Sequence, residues 1–134
     1  LLLGMGGSSL APEVFSNAFR GQVARMPRLA VLDSTDPGAV LATEERLDLS
    51  KTLFIVATKS GGTAETLSFF KYFYNRVAAE CGTEEAGQHF VAITDPGSSL
   101  AALAFSGISP SRISSHPMTF LLCFFRKSAI RVTK

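Results

Sequence analysis

The stretch "TLFIVATKSGGTAETLSFFKYFYNRVAAEC" (Thr52–Cys81) joins a strand, a loop and a helix without a break. Its first part, Thr52–Thr58, is a short apolar run rich in β-branched and aromatic residues, the composition of a buried strand. Its last part, Ala64–Cys81, puts Leu67, Phe70, Phe73, Tyr74, Val77 and Ala78 on one face at helical spacing. Between them "TKSGGTAET" packs hydroxyls, two glycines and a lysine into a few residues. A strand that stays apolar and feeds a helix is the building unit of a parallel sheet covered by helices.

Working outward, the same unit recurs. "LLL" (Leu1–Leu3) reads as a strand end and "GMGGSS" as a turn. "LAPEVFSNAFR" (Leu10–Arg20) then spaces Leu10, Val14, Phe15, Ala18 and Phe19 as a helix, with Pro12 in its first turn. "LAVLD" (Leu29–Asp33) is a second strand, "STDP" a turn and helix start, and "GAVLATEERL" a weak helix. "HFVAIT" (His89–Thr94) is a fourth strand, followed by the loop "DPGSS" and a helix beginning "LAALAF". The order βαβαβαβα predicts a three-layer α/β/α, doubly wound, mostly parallel sheet. The chain opens inside a strand, so it is expected to be a fragment of a longer protein.

Composition narrows the function classes. Hydrophobic residues are 46% and charged residues 18%, which excludes a disordered charged tail. A net charge of +2 with no basic cluster argues against nucleic acid. Cys81 and Cys123 sit in no CxxC or Cys/His pattern, and His89 and His116 are isolated, so no metal site and no cofactor is expected. The run "FLLCFF" (Phe120–Phe125) is too short to span a membrane, and a reducing cytoplasm is the compartment implied.

In a parallel α/β sheet, ligands bind outside the carboxyl ends of the strands. The four loops there are "GMGGSS", "DSTDP", "TKSGGTAET" and "TDPGSS". In the first, Gly4, Gly6 and Gly7 permit a sharp turn, and Ser8 or Ser9 can cap the following helix. The same loop, as Gly4-x-Gly6-x-x-Ser9 with Asp33 closing the second strand, also approximates a dinucleotide fingerprint. In "TKSGGTAET" a helix N-terminus offers unpaired N–H groups and partial positive charge. Thr58, Ser60, Thr63 and Thr66 add hydroxyls and Lys59 a cation, a donor set suited to a phosphate dianion. The plain alternative is a capped helix start, with Thr63 as cap and Glu65 favouring the positive end. A cap requires one hydroxyl, not four.

Together "GMGGSSLAPEV" and "TKSGGTAET" resemble the sugar isomerase (SIS) domain of the glucose-6-phosphate isomerase family. The first is similar to the family's "GIGGS" turn, and the second to its Ser-Lys-Thr-x-Thr-x-Glu-Thr phosphate loop. "ITDPGSSLAALA" resembles a bacterial subgroup that includes fusions with transaldolase. The resemblance covers Leu1 to Ala104. It implies conversion between glucose 6-phosphate and fructose 6-phosphate in a cytoplasmic homodimer, with Gly7 and Ser8 at the sugar and Thr58, Lys59, Ser60 and Thr63 at the phosphate. Thr58 and Ser60 keep the hydroxyls of the family's Ser and Thr, while Gly61-Gly62 replaces bulkier residues.

The family's catalytic Glu base, its Arg in a "GGR" segment, and an assisting His and Lys all lie downstream of the matched part. No "GGR" occurs here. Glu13, Glu44, Glu45, Glu65, Glu80, Glu84 and Glu85 fall in helices or their flanks, and none matches the base, so the catalytic residues stay unassigned. Residues 105–134 depart from the family, turning serine-rich over Ser106–Thr119, and are expected to be a frame-shifted or truncated tail. The chain is therefore expected to hold a phosphosugar without isomerising it by itself. The competing readings are a non-catalytic SIS-type phosphosugar module and a dinucleotide-binding domain.

Overall fold

A computed structural model of the chain describes residues 1–18 and 28–104, and the backbone of 105 and 121–124. Phe19, Arg20, His116 and the remainder of the tail lie outside the described residues. In chain order the elements are β1 (Leu2–Gly4), α1 (Gly7–Ala18), β2 (Val31–Leu32), α2 (Pro37–Glu44), β3 (Phe54–Ala57), α3 (Ala64–Cys81), α4 (Thr83–Ala86), β4 (Phe90–Thr94), α5 (Ser99–Phe105) and β5 (Leu121–Phe124). Single 3-10 turns at Leu49–Lys51 and Gly87–His89 lead into β3 and β4.

The sheet order is β2-β1-β3-β4-β5, with the first four strands parallel. The crossovers β1–α1–β2 and β3–α3–β4 run in opposite directions along the sheet. Right-handed connections then place α1 and α3 on opposite faces, giving the expected doubly wound, three-layer architecture. The winding reverses between β1 and β3, and a crevice opens there at their carboxyl ends. β5 is a strand that the sequence reading did not place: Leu121–Phe124 pairs antiparallel with β4, Val91 opposite Phe124 and Thr94 opposite Leu121.

The α3 side of the sheet carries the core. Leu3, Phe54, Val56, Phe90 and Ala92 share a face by register and are buried with Phe69, Phe70, Phe73, Tyr74 and Val77 of α3. The Phe54 and Phe90 rings stack at 4.9 Å, and Phe70 meets Phe90 edge-on at 5.4 Å. Each such pair adds about 0.5–1.5 kcal/mol beyond its burial, and truncating one of these rings costs about 3–5 kcal/mol. This cluster fixes the axis of α3, so its first turn stands at the carboxyl edge of β3. A second tie runs from α2: the Glu44 carboxylate accepts from Tyr72 Oη and Arg76 Nε of α3.

Two expectations about α1 need correction. The helix begins at Gly7 rather than Leu10, so Ser8 and Ser9 lie inside its first turn and neither is the cap. Ser9 Oγ instead donates back to the Gly6 carbonyl at 2.8 Å, and Pro12 falls past the first turn, where it lacks the N–H that would bond the Ser8 carbonyl. The helical spacing of Leu10, Val14 and Phe15 is real, but their side chains are exposed, and Ser9 is the buried residue of this helix. β2 is also shorter than expected, two residues paired to β1 at the sheet edge.

Candidate functional site

A cleft of about 380 Å³ opens where the winding reverses. It is lined by Met5 and Ser8 after β1, by Ala57, Thr58, Lys59, Ser60, Thr63 and Thr66 from the β3–α3 connection, and by Asp95 after β4. Three loops that are far apart in sequence thus converge on one crevice. Of the six residues singled out from sequence, Ser8, Thr58, Lys59, Ser60 and Thr63 line it. Gly7 starts α1 beside Ser8 and is not among the lining residues. Asp33, the acid of the dinucleotide alternative, lies outside the lining and is within 3.4 Å of the Ser9 hydroxyl.

The β3–α3 loop is shaped by local chemistry and braced from behind. Gly61 sits at φ +72°, a conformation that side chains rarely adopt. A Cβ there would lie 2.6 Å from Ser98 Cβ and 2.9 Å from the Leu100 nitrogen. The β4–α5 loop therefore presses against Gly61 and holds it: Ser99 Oγ donates to the Gly61 carbonyl at 2.7 Å, and the Asp95 amide to the Lys59 carbonyl at 3.1 Å. Thr94, fully buried, bonds Ser98 Oγ at 2.8 Å. These bonds use carbonyls of the loop, while within it the Gly62 amide donates to Ser60 Oγ at 3.3 Å.

The start of α3 is not capped. Thr63 stands at the cap position, but its hydroxyl bonds Thr58 Oγ1 at 2.8 Å and makes no cap bond. The reading of Thr63 as an ordinary cap is corrected by this pairing. The first-turn amides of an uncapped helix lack intrahelical partners, and the helix dipole adds about half a positive charge at that end.

Thr66, one turn further on, has no exposed surface, and its Oγ1 has no hydrogen-bond partner. A buried unpaired hydroxyl costs about 1–3 kcal/mol. Thr66 is also a lining residue of the cleft at the α3 N-terminus, so an occupant of the cleft is the partner within reach of that turn. Lys59 is exposed at the rim, and among the described residues it makes no ion pair.

Met5, Ala57 and Asp95 are lining residues that the sequence reading did not single out, and Thr66 was named there as a donor without being placed in the candidate set. Asp95 had a legible signal, since it directly follows the last residue of β4, at the ligand-bearing edge. The acids considered for catalysis lie elsewhere. Glu65 is exposed on the first turn of α3 outside the lining, and Glu44 is engaged by Tyr72 and Arg76. His89 Nδ1 lies 3.1 Å from the Thr52 carbonyl, an anchor between the lead-ins to β3 and β4. Among the described residues no cluster of three or more His, Cys, Asp or Glu side chains could hold a metal, and no helix is long and apolar enough to cross a membrane.

Comparison with known proteins converges on one family. The phosphoglucose isomerase family matches residues 1–113 of the chain. A glucose-6-phosphate isomerase of Geobacter sulfurreducens is 39% identical over 114 residues, covering 80% of this chain and 20% of its own length. One of Thermus thermophilus is 38% identical over 96 residues, covering 72% of this chain and 22% of its own. The crystal structure of a glucose-6-phosphate isomerase from Chlamydia trachomatis superposes with a TM-score of 0.67 at 30% identity, over 74% of this chain and 19% of that one. The chain spans about a fifth of the length of these relatives.

Proposed function

The chain belongs to the phosphoglucose isomerase family, and on that footing we propose that it is the phosphosugar-holding part of a glucose-6-phosphate isomerase. The phosphate of glucose 6-phosphate or fructose 6-phosphate sits at the uncapped start of α3. The observation that carries this reading is Thr66, a fully buried residue of the cleft lining whose hydroxyl has no protein partner. A phosphate dianion accepts from that hydroxyl, from first-turn amides and from the hydroxyls of Ser60 and Thr63, while Lys59 adds charge at the rim. Each bond to a charged group contributes about 1.5–3 kcal/mol. Ser8 approaches the sugar from the β1 side, with Gly7 allowing close passage of the backbone.

Aldose–ketose isomerisation also requires a base to move a proton between C1 and C2 and a donor for the enediolate oxygen. Among the described residues the cleft lining includes no Glu, His or Arg. The proposal is therefore binding by this chain, with isomerisation requiring the further four-fifths of sequence that the relatives possess. The finer assignments, a sugar isomerase (SIS) domain of a homodimeric cytoplasmic enzyme of glycolysis and gluconeogenesis, belong to the same proposal, as does a domain boundary near Ala104.

Calorimetric and thermal-shift titration of the chain tests it. Fructose 6-phosphate is expected to raise the melting temperature, and fructose and NAD are not. Ser60→Ala and Thr63→Ala are expected to weaken the shift. Absence of stabilisation by any phosphate-bearing ligand would overturn the reading.

A further inference from the structure

Asp95 is the anomaly of this cleft. Among the described residues it is the one acidic residue lining a site otherwise furnished with hydroxyls, a lysine and a helix N-terminus. Its Oδ1 is buried and has no hydrogen-bond partner. A buried carboxylate oxygen without a donor is costly, and beside a phosphate it adds repulsion. The ordinary job of an aspartate after a strand is to cap the next turn or helix. Here that job is done by others: Ser98 Oγ accepts from Ala101 N at 3.1 Å at the start of α5, and the Ser98 amide donates to the backbone carbonyl of Asp95 at 3.3 Å. Nor does the carboxylate pair with Lys59, although both line the cleft. The Asp95 main chain is fixed by its bond to the Lys59 carbonyl, which holds the residue in the cleft lining.

We propose that Asp95 is a specificity-determining residue that accepts a hydrogen bond from a hydroxyl group of the bound phosphosugar. This inference rests on the phosphate reading above and adds to it the part of the ligand that Asp95 recognises. A phosphate dianion has no proton to donate to Oδ1, whereas a polyol has several. The carboxylate therefore favours phosphate esters that carry hydroxyls near the ester and disfavours bare or additional anions. The β4–α5 loop, which braces the phosphate loop through Ser99 and Gly61, thereby also inspects the sugar.

The test compares two monoesters of equal charge, fructose 6-phosphate and ethyl phosphate, on the chain and on Asp95→Ala and Asp95→Asn. A charge-assisted bond of this kind corresponds to roughly a tenfold to hundredfold change in affinity. In Asp95→Ala the preference for fructose 6-phosphate over ethyl phosphate is expected to fall by that factor, with ethyl phosphate binding unchanged or tighter. Asp95→Asn preserves the shape and is expected to bind ethyl phosphate more tightly than the wild type does, with a reduced preference for the sugar. Both variants are checked for the wild-type circular dichroism spectrum and a cooperative melt. A preference unchanged within twofold, or a parallel loss of both ligands, overturns the role of Asp95 while leaving the phosphate site standing. If the wild-type chain binds neither ester, the phosphate reading and this inference fall together.

Discussion

Thr66→Val separates stability from binding at a single atom. The substitution exchanges a hydroxyl for a methyl of nearly the same shape in a helix, where Thr and Val have similar propensity. Thr66 is fully buried and its Oγ1 lacks a partner, so the ligand-free chain carries the cost of that orphan, about 1–3 kcal/mol. Removing it is expected to raise the unfolding free energy by about 1 kcal/mol, which for a chain of this size moves the melting temperature upward by roughly 3–6 °C. The ligand-bound state loses a charge-assisted bond of about 1.5–3 kcal/mol, so fructose 6-phosphate affinity is expected to fall by roughly ten- to a hundredfold. Thermal melts with and without ligand, with calorimetry for affinity, read both effects on one sample. Thr66→Ser keeps the hydroxyl and is expected to retain binding. A ligand-free chain destabilised by more than about 1 kcal/mol would mean that the hydroxyl has a protein partner. Unchanged affinity would mean that it does not touch the ligand. Either result refutes the reasoning.

Two further outcomes follow from the packing around the site. Gly61→Ala places a Cβ 2.6 Å from Ser98 Cβ at φ +72°; the left-handed backbone adds about 1–2 kcal/mol and overpacking about 1–3. Urea unfolding is expected to show a lower midpoint with an unchanged slope, and a loss below about 1 kcal/mol would contradict the close approach. Partial burial opposes ionisation of Glu44, but the hydrogen bonds from Tyr72 and Arg76 and the arginine's charge outweigh it and hold the carboxyl below its ordinary 4.5. The lowered folded-state value means that the Glu44 contribution is full above the unfolded-state value and is lost as pH falls through the folded one. Glu44→Gln is therefore expected to cost stability at pH 7 and to flatten the loss of stability below about pH 4.5, measured by denaturation at a series of pH values; an unaltered acid limb would show that the tie contributes nothing.

Local periodicity made much of the fold legible. The apolar runs before "TKSGGTAET" and "TDPGSS" are β3 and β4, and the α3 face named from spacing is the face that packs, because both signals depend on neighbours within a few residues. Asp36 before Pro37 marked the start of α2, and its Oδ2 accepts from Ala39 N at 2.8 Å as a cap should. The same local logic misplaced the α1 start, since Gly7 and two serines look like a turn until the helix enclosing them is seen. It also passed over β5, whose pairing with β4 depends on a partner some thirty residues away in sequence.

By itself, the sequence determined that glycine- and hydroxyl-rich loops stand at the ends of parallel strands, and that the loop before α3 carries a donor set fit for phosphate. Tertiary structure decided which of those loops meet. The order β2-β1-β3-β4 brings the ends of β1, β3 and β4 to one cleft and leaves Asp33 outside its lining. It also decided what each polar atom does: Thr63 turns to Thr58, Ser98 takes the cap, and Thr66 Oγ1 and Asp95 Oδ1 are left buried without a hydrogen-bond partner in residues that line the cleft. The reason is physical. A strand or helix is written in the spacing of residues along a few turns, whereas a polar atom's partner is set by which distant segments the sheet order packs against it.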